Sequence, residues 1–351
     1  MKIIVNGYII TMDSKRRIIP DGAVVIEKNK IVEVGKTRDL LKKYPAASKI
    51  DAKDKAVMPG LIDSHVHLFQ TLYRGLGDDL PLIEWLRDCI WPMSRFLGRE
   101  ESKTGALLAS LEMIKTGTTS FVDSHYITND KECYDGIAEA VDEIGIRANI
   151  VRSTVNQSPA PEDFHESIDV AQKEAARVIE TYNGTSDGRI RVRVEPLNES
   201  LASREMIKAM YEVSQSYNVG MSMHLAEVKS RVDAIKEKFG FSSVGYLNDI
   251  GVLGKNLLLA HCIWIDQNDI ELLASSESKV VYNAVSNQYL ADGVAPVPEM
   301  LAAGIKVAVG ADGAASNNSQ DMFEVMKSAV LMQKVHRLDP LALTAEKALE
   351  M

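Results

Sequence analysis

The sequence has few cysteines and no long uninterrupted apolar stretch, and both shortages limit what kind of protein it encodes. Three cysteines occur in 351 residues, at Cys89, Cys133 and Cys262, and none belongs to a CxxC pair. An odd, scattered set of this kind favours buried free thiols in a reducing cytoplasm over a disulfide framework. No apolar run approaches the roughly eighteen residues of a membrane helix, and the N-terminus lacks the features of a signal peptide. We therefore expect a cytoplasmic protein without a membrane partner.

Positive charge is also scarce, which bears on nucleic-acid binding. The formal net charge is −9, and no basic stripe with interleaved aromatic residues occurs, so a nucleic-acid partner is not expected. Apolar residues make up 46% of the chain and charged residues 25%, which is the balance of a globular protein. The length suits one large α/β barrel with a modest additional domain.

The first part of the chain has the pattern of a small β domain. Short strand-like runs are separated by turn residues such as Asp13, Asp21 and Gly22, and one helical segment follows them. We predict strands at 2–12, 23–27, 30–35, 49–51 and 56–58, and a helix at 37–44. The first three strands predict a small antiparallel unit, and the segment as a whole predicts a small β-sandwich-type domain over residues 1–55, followed by a second domain over residues 56–351.

From residue 56 onward, short apolar strands alternate with helix-length amphipathic segments, which is typical of βα units around a parallel sheet. We predict eight strands, at 60–65, 119–124, 147–153, 189–196, 219–224, 256–262, 279–283 and 305–312. Eight such units predict a (β/α)₈ TIM barrel, whose active site lies at the C-terminal ends of the strands.

Side chains suited to metal binding stand at those strand ends. His65 and His67 are two residues apart, so their side chains project to one face and can hold the same ion. His224 ends the fifth strand and Asp312 ends the eighth. Three imidazoles and a carboxylate suit Zn²⁺ or Fe²⁺ better than Mg²⁺ or Ca²⁺. We predict one divalent ion per chain, bound by these four residues, which would activate water at neutral pH.

Two further residues at the strand ends fit a hydrolytic reaction. Glu227, in the run HLAE, lies close enough along the chain to His224 to serve as a proton shuttle, although an acid at a helix start is also common for structural reasons. His261 could orient the water, bind a second ion or be a buried structural histidine. Asp312 would either ligate the ion or accept the proton of the water.

Several runs together make the sequence resemble the amidohydrolase superfamily, in the branch that contains S-adenosylhomocysteine/methylthioadenosine deaminases and s-triazine (atrazine) chlorohydrolases. The resemblance covers almost the whole chain. The supporting runs are VMPGLIDSHVHLFQTLYRGLGDDLPLIEWL, EMIKTGTTSFVD, MHLAE, LLLAHC, VSNQYLADGVAPVPEMLAAGIKVAVGADGAASNNSQDMF and DPLALTAEKALEM. The resemblance implies the same metal ligands, Glu227 as the acid and base, and His261 as the residue that steadies the hydrolytic water.

The resemblance also implies contacts to a small heterocyclic substrate. Glu84 matches the position where nucleoside deaminases of this group hold the ribose hydroxyls, and Arg152 matches a substrate-binding arginine. His125 lies where triazine-type hydrolases can place a substrate contact, with a rim histidine as the equal alternative. Asn287, in the SN pair after the seventh strand, is the fourth expected substrate-binding residue.

Three departures from the family pattern concern the substrate. Leu197 stands where the nucleoside deaminases carry a substrate-contacting histidine, which argues against adenosylhomocysteine and methylthioadenosine. The usual HNP is YNA at 282–284, closer to the triazine chlorohydrolases, and the usual TDG is ADG at 311–313. Glu195 could bridge a second ion, although pairing with an arginine is the favoured alternative.

The sequence thus predicts hydrolytic deamination of an amino-substituted nitrogen heterocycle. The alternatives are a dechlorinating hydrolase of the triazine type, a binuclear cyclic amidase or imidase, and a non-catalytic metal-binding relative. Family members continue past the final ALEM, so we expect either a truncated chain or N-terminal strands with unpaired apolar edges. Such an edge also makes a homo-oligomer the expected state.

Overall fold

A computed structural model describes residues 1–126 and 130–351. The chain folds into two compact units, Met1–Gly60 and Leu61–Met351. Within the described residues, no helix is both long and apolar enough to cross a bilayer.

The first unit is one five-stranded sheet with a short helix, Thr37–Lys43. Its strands are β1 (Lys2–Ile10), β2 (Ile18–Glu27), β3 (Lys30–Lys36), β4 (Ser48–Asp51) and β5 (Ala56–Val57). The order is β3-β2-β1-β4, and β5 also pairs with β1.

The antiparallel unit expected from the first three strands is confirmed, and the two short strands that follow the helix differ from them in direction. β1, β2 and β3 are antiparallel, but β4 and β5 run parallel to β1. The helix carries the chain back over the sheet, so the next strand enters in the same direction as β1. Its Leu40 packs with Ile3, Val5 and Val25 in a small core.

The second unit contains a parallel sheet that closes on itself. Its strands are β6 (Leu61–His67), β7 (Thr118–His125), β8 (Arg147–Thr154), β9 (Ile190–Pro196), β10 (Gly220–Leu225), β11 (Leu257–His261), β12 (Lys279–Tyr282), β13 (Val307–Val309) and β14 (Asp312–Gly313). Every neighbouring pair is parallel, in chain order from β6 to β13.

The eighth barrel strand is interrupted, and its two parts close the barrel. β13 pairs with β12, whereas β14, three residues further on, pairs with β6. The predicted (β/α)₈ barrel is therefore confirmed, with the eighth predicted strand, 305–312, divided into two short pieces. The division places Asp312 beside the first strand, where Asp312 pairs with Val66.

Helices connect the strands and cover the outside of the sheet. They span Leu82–Trp85, Leu86–Ile90, Trp91–Ser94, Arg99–Thr116, Cys133–Ile144, Ile168–Tyr182, Thr185–Gly188, Arg204–Ser216, Lys229–Phe239, Ser243–Ile250, Gln267–Ser275, Ala284–Tyr289, Val297–Ala302, Met322–Arg337 and Ala345–Glu350, with 3₁₀ turns at Leu68–Tyr73 and Glu162–Phe164. Ser167, Ser203 and Asp266 cap three of these helices by accepting from a backbone N–H in the first turn, as short polar side chains do at helix starts.

The barrel core forms because the strands carry mainly β-branched and long apolar side chains, while the helices turn their small and apolar residues inward. Phe121, Ile150 and Val194 on the strands are fully buried, as are Ala106 and Ala175 on the helices. Because this packing fixes the positions of the strand ends, it also fixes the positions of the polar residues at those ends.

Candidate active site

The polar residues expected at the strand ends lie together at one end of the barrel. His65 and His67 are on β6, His224 is on β10, and Asp312 begins β14. Nitrogen or oxygen atoms of His65, His67 and His224 lie within 4.8 Å of one another, and the same holds for His65, His261 and Asp312. All of these side chains are buried.

The distances among these residues leave a small space bounded by nitrogen and oxygen atoms. His67 Nε2 is 3.2 Å from Asp312 Oδ1, and His65 Nε2 is 3.8 Å from the same oxygen. His67 Nε2 is also 3.3 Å from His224 Nε2. The set of three imidazoles and one carboxylate is the type that binds Zn²⁺ or Fe²⁺.

Two of the imidazoles, those of His67 and His224, are oriented by contacts to their Nδ1 atoms. His67 Nδ1 is 2.6 Å from the Ser124 carbonyl oxygen, so the ring donates there and presents Nε2 to the cluster. His224 Nδ1 is 3.3 Å from Glu195 Oε1. Carbonyl and carboxylate groups behind a histidine are the usual support of a metal ligand.

The electrostatics of the cluster also fit a cation. Burial, helped by the charge of His224, lowers the pKa of His65 well below its usual value, and His65 Nε2 is buried without a hydrogen-bond partner among the described residues. Burial by itself would raise the pKa of Asp312, but the hydrogen bond and charge of His67, together with the neighbouring histidines, hold the pKa well below the usual range. A neutral imidazole with a free lone pair beside an ionised carboxylate is suited to a divalent ion.

Glu227 and His261 lie close to these metal-binding candidates and to each other. His261 Nε2 is 3.5 Å from Glu227 Oε1 and 3.7 Å from Asp312 Oδ2. His261 Nδ1 is 2.9 Å from Asn287 Oδ1, so the amide oxygen can accept from the ring. Ser286 Oγ donates to Asp312 Oδ2 at 2.6 Å.

The backbone is strained where it delivers two of these side chains. His261 has φ 74° and Asp312 has φ 65°, values in the left-handed region that non-glycine residues seldom adopt. Strain of this kind costs about 1–3 kcal/mol per residue and concentrates at functional sites. It turns both side chains inward at the point where their strands end.

A cavity opens onto these residues. His67, His224, Glu227 and Asp312 form its polar end. The rest of the wall is formed by Gln70, Leu82, Trp85, Leu86, Trp91, Tyr126, Leu197, Asn198, Leu201, Arg231, Leu290 and Ser316. The wall therefore presents both apolar and polar side chains to a ligand.

The structure does not bring the four expected substrate-binding residues to this wall. Arg152 is buried and donates through Nη1 and Nη2 to Glu166, at 2.6 Å each. Because a buried guanidinium needs a carboxylate, the ion pair occupies this side chain. Glu84 is half-buried, but its helical neighbours Leu82, Trp85 and Leu86 line the cavity in its place.

His125 and Asn287 are fully or almost fully buried behind the site. The His125 ring packs against Phe69 and Tyr134, with ring centroids 5.1 Å and 5.6 Å away, and burial lowers its pKa to about 3. Asn287 contacts His261 from behind. Neither residue is among those that line the cavity.

Glu195 has a supporting position as well. It accepts hydrogen bonds from the hydroxyl groups of Ser124 and Ser153 and lies beside His224 Nδ1. The favoured expectation of an arginine partner is wrong, because among the described residues its hydrogen bonds come from these serines.

Sequence reasoning did not identify Arg231 and Asn198 among the residues lining the cavity, nor the aromatic wall of Trp85 and Trp91. Arg231 donates to Glu227, four residues earlier, at 3.2 Å. That spacing is the one signal that could have identified it, since residues four apart meet on a helix. The other three residues come from loops and helices whose approach to the site is set by tertiary packing.

The chain is similar to known proteins in both sequence and structure. Residues 56–351 match the family described as amidohydrolase family, and residues 22–47 match an imidazolonepropionase-like composite domain of bacteria. The chain is 40% identical to 5'-deoxyadenosine deaminase of Methanosarcina acetivorans, over 99% of this chain and 77% of that protein. It is 38% identical to 5-methylthioadenosine/S-adenosylhomocysteine deaminase of Thermococcus onnurineus, over 99% of this chain and 78% of that protein.

Among solved structures, the chain is similar to an adenosine deaminase from Xanthomonas campestris with bound zinc. The TM-score is 0.87 and the identity 26%, with 99% of this chain and 76% of the other covered.

Proposed function

Because the chain belongs to the amidohydrolase family, we propose that it hydrolytically deaminates an amino-substituted nitrogen heterocycle. The reaction replaces the amino group by oxygen from water and releases ammonia. The deaminases named above make adenine nucleosides the first compounds to test. The position of Glu227 carries the proposal, since it lies at the cavity wall beside both the histidine cluster and His261.

We propose one divalent ion per chain, Zn²⁺ or Fe²⁺, held by His65, His67, His224 and Asp312. When bound, such an ion acts as a Lewis acid and lowers the pKa of water to about 7. The Ser124 carbonyl group contacts Nδ1 of His67, and the Glu195 carboxylate contacts Nδ1 of His224. These contacts would orient both rings for binding the ion through Nε2. The ring of His65 supplies a lone pair that is otherwise unpaired among the described residues.

Proton transfer falls to Glu227. Its carboxylate accepts the first proton of the attacking water and delivers it to a ring nitrogen of the substrate. It then transfers the proton of the newly added hydroxyl group to the amino group, so that the carbon–nitrogen bond breaks, ammonia leaves and a carbonyl group remains. His261 Nε2, 3.5 Å from Glu227 Oε1, steadies the water and the developing charge. Asn287 and Asp312 keep that imidazole in place.

The test is ammonia release from adenosine, 5'-deoxyadenosine, guanine, cytosine, a pterin and an aminotriazine by zinc- or iron-loaded enzyme. Loss of a positioned acid or base typically costs about 10²–10⁴-fold, so we expect at least about a 100-fold fall in kcat for Glu227→Ala with the metal content unchanged. Glu237→Gln, an exposed acid on the next helix, is the matched control and should keep full activity. Wild-type turnover by Glu227→Ala would refute the mechanism.

A chlorotriazine substrate and a metal analysis, added to this experiment, separate the alternatives. Chloride release from a chlorotriazine, without ammonia release, would assign a dechlorinating hydrolase. Two ions per chain by elemental analysis would favour a binuclear amidase, and bound metal without turnover would favour a non-catalytic relative. Three further expectations stay predictions. They are the cytoplasmic location, the homo-oligomeric state, and the division into a small β domain over residues 1–55 and a catalytic domain over residues 56–351.

A further inference from the structure

Arg231 is a buried cation on the cavity wall that the proposed mechanism does not use. It stands in the first turn of the helix Lys229–Phe239, and 9% of its surface is exposed. Its Nη1 donates to Glu227 Oε2 at 3.2 Å. The guanidinium therefore lies directly beside the residue that is proposed to move the proton.

Most of the hydrogen-bonding capacity of Arg231 is unused. A guanidinium has five N–H donors in a rigid plane. Arg231 Nε and Nη2 are buried without a hydrogen-bond partner among residues 1–126 and 130–351. A buried donor left unpaired costs about 1–3 kcal/mol, and more when it is charged. An acceptor brought within reach of these two atoms would remove this cost.

Both acidic and neutral polar groups surround Arg231. Glu227 accepts from one of its nitrogens, and the charge of Arg231 opposes the burial that raises the pKa of Asp292 to about 9 and that also raises the pKa of Glu199. Gln70, Asn198 and Ser316 are the neutral polar groups of the described wall. Within that described wall, Arg231 is the one permanently charged cation.

The position of the unused donors limits where an acceptor can be. Nε and Nη2 belong to the same guanidinium plane as Nη1, which lies 3.2 Å from Glu227 Oε2. If Glu227 protonates a ring nitrogen of the substrate, that ring lies close to Arg231, and we therefore look for the acceptor among the substituents of the ring.

The chemistry of the ring substituents narrows the choice. An exocyclic amino group of such a ring acts mainly as a donor and is repelled by the cation. A ring nitrogen offers a single lone pair, whereas a carbonyl oxygen offers two and can accept from two parallel N–H groups. Resting on the proposed deamination, we propose that Arg231 is a specificity residue that selects amino heterocycles whose ring carries an oxo oxygen.

The first test compares substrates that differ by one oxygen. Adenine and its 2-oxo derivative, isoguanine, carry the same 6-amino group, and guanine places the oxo group at the other position. With the metal-loaded full chain, we expect the better oxo purine to exceed adenine in kcat/KM by about 10- to 100-fold, the range for hydrogen bonds to a charged group. In Arg231→Met this ratio should fall to about one. An unchanged ratio in Arg231→Met would overturn the proposal.

Two further variants make the comparison specific. Lys229→Met removes an exposed cation from the same helix, paired with Asp233, and should leave the ratio unchanged. Arg231→Lys keeps the charge but lacks the planar pair of donors, so the ratio should fall there too. If circular dichroism shows that Arg231→Met does not fold, Arg231→Lys decides: an unchanged ratio overturns the proposal.

A binding measurement keeps the proposal independent of turnover. Trp85 and Trp91 line the cavity, so ligand binding should change tryptophan fluorescence. Xanthine has one more oxo group than hypoxanthine. It should therefore bind more tightly than hypoxanthine to the wild type, whereas Arg231→Met should bind the two compounds equally well. Absence of ammonia release from every purine would contradict the proposed deamination, while the xanthine to hypoxanthine ratio would still support or overturn the role of Arg231.

Discussion

Asn287 provides the sharpest distinction between a substrate contact and a positioning residue. Its Oδ1 is 2.9 Å from His261 Nδ1, and 1% of its surface is exposed. Replacing Asn287 with Ala removes the acceptor and leaves the ring N–H of His261 buried without a partner. The cost of such an unpaired group is about 1–3 kcal/mol.

That cost should fall on catalysis, because His261 faces Glu227 through its other nitrogen. At about 1.4 kcal/mol for each factor of ten, we expect kcat to fall by roughly 5- to 150-fold. KM should change by less than about twofold, since an interaction lost only in the transition state leaves substrate binding intact. Asn287→Asp retains an acceptor oxygen and should recover much of the loss.

The assay is steady-state ammonia release, with kcat and KM determined separately and folding checked by thermal unfolding. Asn248→Ala, an exposed asparagine on the helix Ser243–Ile250, is the matched control. If Asn287→Ala raised KM at unchanged kcat, Asn287 would be a substrate contact and the positioning argument would be refuted.

Two predictions concern stability. The pKa of His125 is about 3 in the fold because the ring is buried, so the unfolded chain binds a proton there below pH about 6.5 and the fold does not. The free energy of unfolding should therefore fall by up to about 1.4 kcal/mol per pH unit as the pH drops from about 6.5 towards 3. Urea unfolding at pH 7 and pH 5 measures this, and His125→Gln should lose less stability between the two pH values than the wild type does. An equal loss in both proteins would contradict the prediction. A Cβ on Gly313 would lie 1.7 Å from Gln70 Oε1, so Gly313→Ala should cost about 1–3 kcal/mol through overpacking; an unchanged melting temperature would show that Gln70 moves freely.

The barrel could be predicted from sequence because each of its strands and helices has a recognisable pattern over a short stretch of the chain. Each strand is a short apolar run followed by a helical segment, and the right-handed, sequential connection of such units leaves few arrangements. The strand ends then meet at one rim, which is why His65, His224 and Asp312 could be grouped although they are far apart in the chain. The ligand types themselves indicate the class of metal.

Other parts depended on contacts that sequence patterns do not encode. Spacing along the chain did not reveal that Glu166 would pair with Arg152, or that Asn287 would lie behind His261. The direction of β4 and β5 likewise depended on how the helix Thr37–Lys43 packs on its sheet. Side-chain partners of this kind are set by loop paths and rotamers, which vary with the whole fold.

The sequence by itself determined the eight strands, their order and the convergence of histidines and Asp312, because strand periodicity and barrel topology are set by local hydrophobic patterns. The tertiary structure decided which polar residues face the cavity and which stand behind it. Arg231 is on the wall with unused donors, whereas Arg152, His125 and Asn287 are buried against other side chains. A buried polar group takes whichever partner the packed fold supplies, so its role is fixed only when the chain is folded.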